Sequence, residues 1–122
     1  MKTVLVIEDN LEVRENTAEI LTLNGYSVIT AINGKEGFNE AKSKAPNLII
    51  CDIMMPETDG KTFLKLVKDD NTTSSIPLVF FSAGSVPNEV RKGLVQGADE
   101  YLSKPFSEQD LLNVVERNLN GY

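Results

Sequence analysis

Five short apolar runs rich in β-branched or aromatic residues punctuate the chain: Val4–Ile7, Tyr26–Thr30, Leu48–Cys51, Pro77–Phe81 and a weaker Tyr101-Leu102. Runs of this kind mark strands covered on both faces, as in a parallel sheet. Helical patterns lie between them. Asn10 stands where an N-cap belongs, Val13, Thr17, Ile20 and Leu21 share one face behind it, and Gly25 ends the segment. Gly34 to Lys44 carries a thin stripe of Phe38 and Ala41. Phe63, Leu64 and Val67 share a face after Asp59-Gly60, and Pro87 opens a segment with Val90, Leu94 and Val95. Ser107 and Asp110 have the spacing of a capping box before Leu111, Leu112, Val115 and Leu119.

The order is therefore strand then helix, five times. Short connections between such units require right-handed crossovers and helices on both faces of an open parallel sheet. The expected architecture is α/β: a flavodoxin-like, doubly wound, five-stranded parallel sheet of strand order 2-1-3-4-5. No internal repeat or linker interrupts it, and Asn71–Ser75 reads as a loop. Residues 1–122 are expected to form one domain with no output domain attached.

Composition narrows the chemistry. Of the 122 residues, 41% are hydrophobic and 25% charged. A chain this long buries roughly two-thirds of its unfolded surface. Twelve Lys and Arg against eighteen Asp and Glu give a net charge of −6, so direct nucleic-acid binding is not expected. There is no histidine, which removes imidazole bases, imidazole metal ligands and phosphohistidine formation on this chain. The single cysteine, Cys51, excludes an intrachain disulfide and suits a reducing compartment. Strand alternation turns it away from Asp52, as a core residue. The opening apolar stretch is far shorter than the ~20 residues of a membrane helix. A soluble, cytoplasmic protein that does not engage membranes is expected.

In doubly wound sheets ligands bind at the carboxyl ends of the strands, near the point where strand order reverses. The first strand ends in Glu8-Asp9, the third in Asp52, the fourth in Ser82, and the fifth just before Lys104-Pro105. Each has a plain reading alone: a solvated strand end, a turn cap, a loop hydroxyl, a surface lysine. Their convergence on one rim is what points to chemistry. Three acids in one crevice repel one another unless cations compensate. Lys104 supplies one positive charge, and a hard divalent cation with oxygen ligands, magnesium above all, is the natural second. Asp52 is placed to act as a nucleophile, with Ser82 and Lys104 as donor and point charge toward phosphoryl oxygens.

These segments resemble the receiver domain of two-component response regulators, in particular the chemotaxis-regulator type. The matching pieces are residues 4–10, ending in Glu8-Asp9-Asn10; residues 50–60, with Asp52, Met54, Pro56 and Asp59-Gly60; Phe81-Ser82-Ala83; and residues 97–106, with Lys104-Pro105-Phe106. In this order and spacing they cover essentially the whole chain. The resemblance implies that Asp52 is the phosphoacceptor. Asp9 would bind Mg²⁺ directly, Glu8 through a metal-bound water, and Met54 through its backbone carbonyl. Ser82 would hydrogen-bond the phosphoryl group, Lys104 would pair with it, and the Lys104-Pro105 peptide would be cis. Tyr101 occupies the family's aromatic switch position.

The resemblance also implies an upstream sensor histidine kinase or phosphotransfer protein and a downstream protein effector. A phosphorylation-linked dimer is one assembly mode open to it. Such a chain is a signalling switch rather than an enzyme: it catalyses phosphoryl transfer to its own Asp52 and slow loss from it. Phosphorylation would reshape the face made by the fourth predicted helix, the fifth strand and the fifth predicted helix. Glu8 in place of the commoner first Asp, and Ser rather than Thr at Ser82, are familiar variants. Met54 and Gly84 offer no acid or amide to orient an attacking water, so a phosphorylated state that is not unusually short-lived is expected. The last helix lacks the Arg-rich ending of receivers joined to winged-helix domains.

Three other classes compete. A flavodoxin-like electron carrier needs a phosphate-cradling loop where Glu8-Asp9-Asn10 stands. A haloacid-dehalogenase-type phosphatase needs a second acid where Met54 stands. A receiver-like interaction module that works without phosphorylation would not need the acids, Ser82 and Lys104 all retained.

Overall fold

In a computed structural model, residues 1–53, 60–83, 98–104 and 106–119 are described, with the backbone alone for Ser82, Ala83, Ser103 and Lys104. The strands are β1 (Thr3–Ile7), β2 (Ser27–Ala31), β3 (Leu48–Asp52), β4 (Leu78–Ala83) and β5 (Glu100–Lys104). All pair in parallel, in the order β2-β1-β3-β4-β5. The described helices are α1 (Leu11–Leu23), α2 (Gly34–Lys44), α3 (Gly60–Asp69) and α4 (Glu108–Leu119). The helix expected after Pro87 lies outside the described residues.

Alternation along the strands divides the interior in two. Leu5, Ile7, Ile49, Cys51, Leu78 and Phe80 pack toward Ala41, Phe63 and Val67 of α2 and α3. Val4, Val6, Leu48, Ile50, Val79 and Phe81 pack toward Leu21 of α1 and Leu111, Val114 and Val115 of α4. Both faces of the central strands are thus covered, which is why their sequences run apolar without a break.

Helix ends follow local chemistry. The Asn10 side chain accepts from Val13 N at 3.0 Å, as expected of an N-cap. At the far end of α1, Tyr26 N donates to Leu21 O and Gly25 N to Thr22 O, with Gly25 at φ +91°. This is a Schellman closure. It draws Tyr26 into the turn, so β2 starts one residue later than its apolar run. Asn33 caps α2 by accepting from Glu36 N at 2.8 Å, a cap absent from the sequence reading. The capping box at α4 forms: Asp110 N donates to Ser107 Oγ at 3.0 Å and Ser107 N to Asp110 Oδ2 at 3.2 Å.

Two strands differ in extent from their apolar runs. Pro77 precedes β4 because it has no N–H, yet its carbonyl accepts from Ile49 N at 3.0 Å. β5 is longer than Tyr101-Leu102 because an edge strand, paired only with β4, tolerates Glu100, Ser103 and Lys104.

α2 lies close to β1 because Gly37 has no side chain. A Cβ there would collide with Cδ1 of Ile7 and lie 2.7 Å from its Cγ1.

Candidate functional site

The site grows out of the register of the two central strands. Ile7 is level with Cys51 in the parallel pairing of β1 and β3. One residue further on, Glu8 and Asp52 stand at the same level. Alternation from Val6 and Ile50 turns both toward the side covered by α1 and α4. Glu8 N is held by Ala31 O at 3.0 Å, so the β2 ladder continues to the last residue before the turn.

The acids Glu8, Asp9 and Asp52 each bring a carboxylate oxygen within 4.8 Å of the others. Glu8 is fully buried, Asp52 is 8% exposed and Asp9 is exposed. Capping of α1 falls to Asn10, so Asp9 is not consumed as a helix cap. Converging carboxylates, two of them buried, carry repulsion and desolvation that a cation relieves. The donor set is all oxygen and opens to water on the Asp9 side. It fits a hard divalent ion of the magnesium type, which keeps several waters. The Mg²⁺ expectation therefore meets a suitable arrangement of residues.

Asp52 is level with Phe81, and Ile53 N donates to Phe81 O at 3.2 Å as the chain leaves β3. Ser82 is the next residue of β4, level with Ser103, and Ala83 is level with Lys104. The backbones of Ser82 and Lys104 thus reach the same carboxyl edge as the three acids. Their side chains, together with Met54, Gly84 and Pro105, lie outside what is described. Tyr101 is half-buried and packs against the cluster beneath α2 and α3. Glu100, beside it, pairs with Arg117 of α4, whose Nε donates to Glu100 Oε1 at 3.2 Å.

Cys51 lies in the opposite cluster, as alternation requires. Burial, then the charges of Asp52 and Glu8, push its thiol well above the usual cysteine range. The thiol donates to Asp52 O at 3.3 Å. Such a group is a packed core residue, not a nucleophile.

The sequence reading missed Arg14. Its Nη1 donates to Glu8 O at 2.9 Å and lies 3.4 Å from Asp9 O. Helical side chains lean toward the N-terminus of their helix, so a long one in the first turn reaches back over the residues that precede the helix. Position on the helix was the one signal available.

Comparison with known proteins agrees with this geometry. Residues 4–116 match the family model described as the response regulator receiver domain. The chain is 34% identical over 119 residues to protein PilG of Pseudomonas aeruginosa, covering 98% of this chain and 88% of that one. It is 34% identical over 111 residues to the phosphate regulon transcriptional regulatory protein PhoB of Klebsiella pneumoniae, covering 91% of this chain but 48% of that one. The chain thus spans about half the length of that regulator. The structure of the chemotaxis response regulator CheY4 of Vibrio cholerae superposes with a TM-score of 0.88 at 30% identity, covering 98% and 99% of the two chains.

Proposed function

The chain belongs to the response regulator receiver family of two-component systems, and on that premise we propose that it takes a phosphoryl group from a phosphohistidine onto Asp52. The observation that carries the reading is the convergence of the Glu8, Asp9 and Asp52 carboxylates at the carboxyl edge of β1 and β3.

An Asp52 carboxylate oxygen attacks phosphorus, the P–N bond to the donor imidazole breaks, and the imidazole leaves with the electron pair. Glu8, Asp9 and Asp52, with the Met54 carbonyl, would hold Mg²⁺. When bound there, the ion supplies positive charge against the phosphoryl oxygens. Ser82 donates to one phosphoryl oxygen and Lys104 pairs with another, so the site holds the group by position and charge. The backbone of Lys104 stands level with Ala83 at the same edge, which supports this role. The donor is a sensor histidine kinase or phosphotransfer protein.

The aspartyl phosphate adds about −1.5 to −2 charge and three acceptor oxygens. Ser82 is drawn toward them, and Tyr101 turns inward into the vacated space. Glu100, Tyr101, Leu102, Asn113 and Arg117 line an open groove between β5 and α4, so Tyr101 itself forms part of this face. The phosphorylated site stabilises one of two conformations of this face, which a protein effector reads.

Incubation with acetyl phosphate and Mg²⁺, followed by intact-mass measurement, tests the reading. One added phosphoryl group is expected, lost both in Asp52→Asn and without metal. No gain with acetyl phosphate or a panel of histidine kinases, from folded protein, would leave a phosphorylation-independent interaction module.

A further inference from the structure

The backbone that carries two of the three acids is held from α1. Glu8 and Asp9 carry the chain from β1 to α1, with Glu8 N still joined to Ala31 O at the end of the ladder. A buried carbonyl without a donor is costly, so something must supply one. Arg14 does: Nη1 donates to Glu8 O at 2.9 Å, with Asp9 O at 3.4 Å. Its side chain is half-buried, which restricts its alternatives. Arg14 N itself bonds Asn10 O at 2.9 Å, so the residue is anchored in the first helical turn before its side chain reaches back. The bonds go to the main chain of these two residues, not to their carboxylates.

We propose that Arg14 is a positioning residue for the cation site. Its guanidinium fixes the Glu8-Asp9 peptide and thereby aims both carboxylates at the point they share with Asp52. The inference rests on the metal reading of those acids. A fork of rigid N–H groups suits this task in a way a lysine ammonium does not. Charge and positioning make opposite predictions. As a mere positive charge near the acids, Arg14 repels Mg²⁺, and its removal tightens binding. As a clamp, its removal loosens binding, because the acids lose their common aim.

The experiment is a MgCl₂ titration followed by the backbone amide resonances of Glu8, Asp9 and Asp52 in ¹⁵N-labelled protein. Wild type, Arg14→Met and Arg14→Lys are compared, with Asp9→Asn as the ligand control. Urea unfolding in EDTA establishes that each variant is folded under the titration conditions. The clamp predicts that Arg14→Met weakens Mg²⁺ binding by about tenfold, the lower end of what loss of an outer partner costs a metal site. It predicts that Arg14→Lys, which keeps the charge, also weakens it. Unchanged or tighter binding in folded Arg14→Met overturns the proposal. Should Arg14→Met not fold, Arg14→Lys decides by the same criterion: weaker binding supports the clamp and wild-type affinity overturns it. A wild type whose three amides ignore Mg²⁺ overturns the metal reading itself, and the clamp with it. That outcome is distinct because it shows in the unmutated protein.

Discussion

Asp99 grips both main-chain groups of Leu78: its N–H donates to Leu78 O at 2.9 Å, and its Oδ2 accepts from Leu78 N at 2.8 Å. Leu78 opens β4 and Asp99 immediately precedes β5. The double bond therefore fixes where the two strands start relative to each other. Val79 is then level with Glu100, and four residues later Lys104 arrives level with Ala83 at the functional edge.

Replacing Asp99 by Ala leaves Leu78 N without its acceptor and is expected to cost about 1 kcal/mol in urea unfolding, since the site is part-exposed. Asp99→Asn keeps an acceptor oxygen and should lose less. Equal losses in both would show that the charge, and Lys68 Nζ at 3.9 Å from Oδ2, matters more than the bond to Leu78.

Thr73 closes the end of α3. Its Oγ1 donates to Val67 O at 2.7 Å, and Thr73 is fully buried. Val67 lies in the last turn, where helix carbonyls have no intrahelical donor. Thr73→Val preserves shape and removes the donor, so it should destabilise the protein by about 1–2 kcal/mol. A neutral result by chemical denaturation would mean that water satisfies the carbonyl.

Gly37→Ala sets two effects against each other. Helix propensity alone favours alanine by about 1 kcal/mol. The added methyl collides with Ile7, buried beneath α2, and overpacking costs about 1–3 kcal/mol. Net destabilisation of about 1 kcal/mol is expected, restored in part by a second change, Ile7→Val. A stabilised single variant would refute the close approach of α2 to β1.

The acid cluster is expected to make stability depend on divalent ions. At ten times its Kd, Mg²⁺ should stabilise the wild type by about 1.4 kcal/mol through mass action. Asp9→Asn should lose that gain. In EDTA the same variant should be more stable than the wild type by about 0.5–1 kcal/mol, because a like charge is gone. Thermal melts with and without Mg²⁺ read both effects, whose opposite signs separate them from general damage.

The Asp70 carboxylate sits below the usual aspartate range, first because Thr72 Oγ1 donates to it at 2.6 Å, then because Thr72 N does at 2.8 Å. Lys42 Nζ lies 3.6 Å away and adds a smaller pull. Because the folded pKa is depressed, the group's stabilisation is present above the ordinary aspartate pKa. It is lost as pH falls through the lowered folded value. NMR titration of the Asp70 carboxyl should give a midpoint below that of an unstructured aspartate. Thr72→Ala should move the midpoint upward, whereas Lys42→Ala should move it less.

The order of elements was legible because burial on both faces of a central strand demands continuous apolar residues. Val4–Ile7 and Leu48–Cys51 say this without ambiguity. Local caps were legible where acceptor and donor lie a few residues apart, as for Asn10 and Ser107. Asn33 escaped, although the helix does start at Gly34 as the pattern predicts, because the thin apolar stripe draws the reading to Phe38 and Ala41 rather than to the residue before the helix.

Glu8, Asp9 and Asp52 could be named from sequence because a parallel sheet delivers the ends of neighbouring strands to one edge, and acids following apolar runs stand out there. That their oxygens meet within 4.8 Å depends on the register of Ile7 against Cys51, which two strands joined through β2 and α2 settle only when packed. Arg14 carries only its position on α1 as a signal, and Asp99 belongs wholly to the tertiary structure. Arg14 bonds main-chain carbonyls that any sequence would present. Asp99 reaches a peptide 21 residues away that is adjacent only once β4 and β5 have paired. Local composition determines which strand ends carry charge; long-range pairing decides which charges face each other and what holds them there.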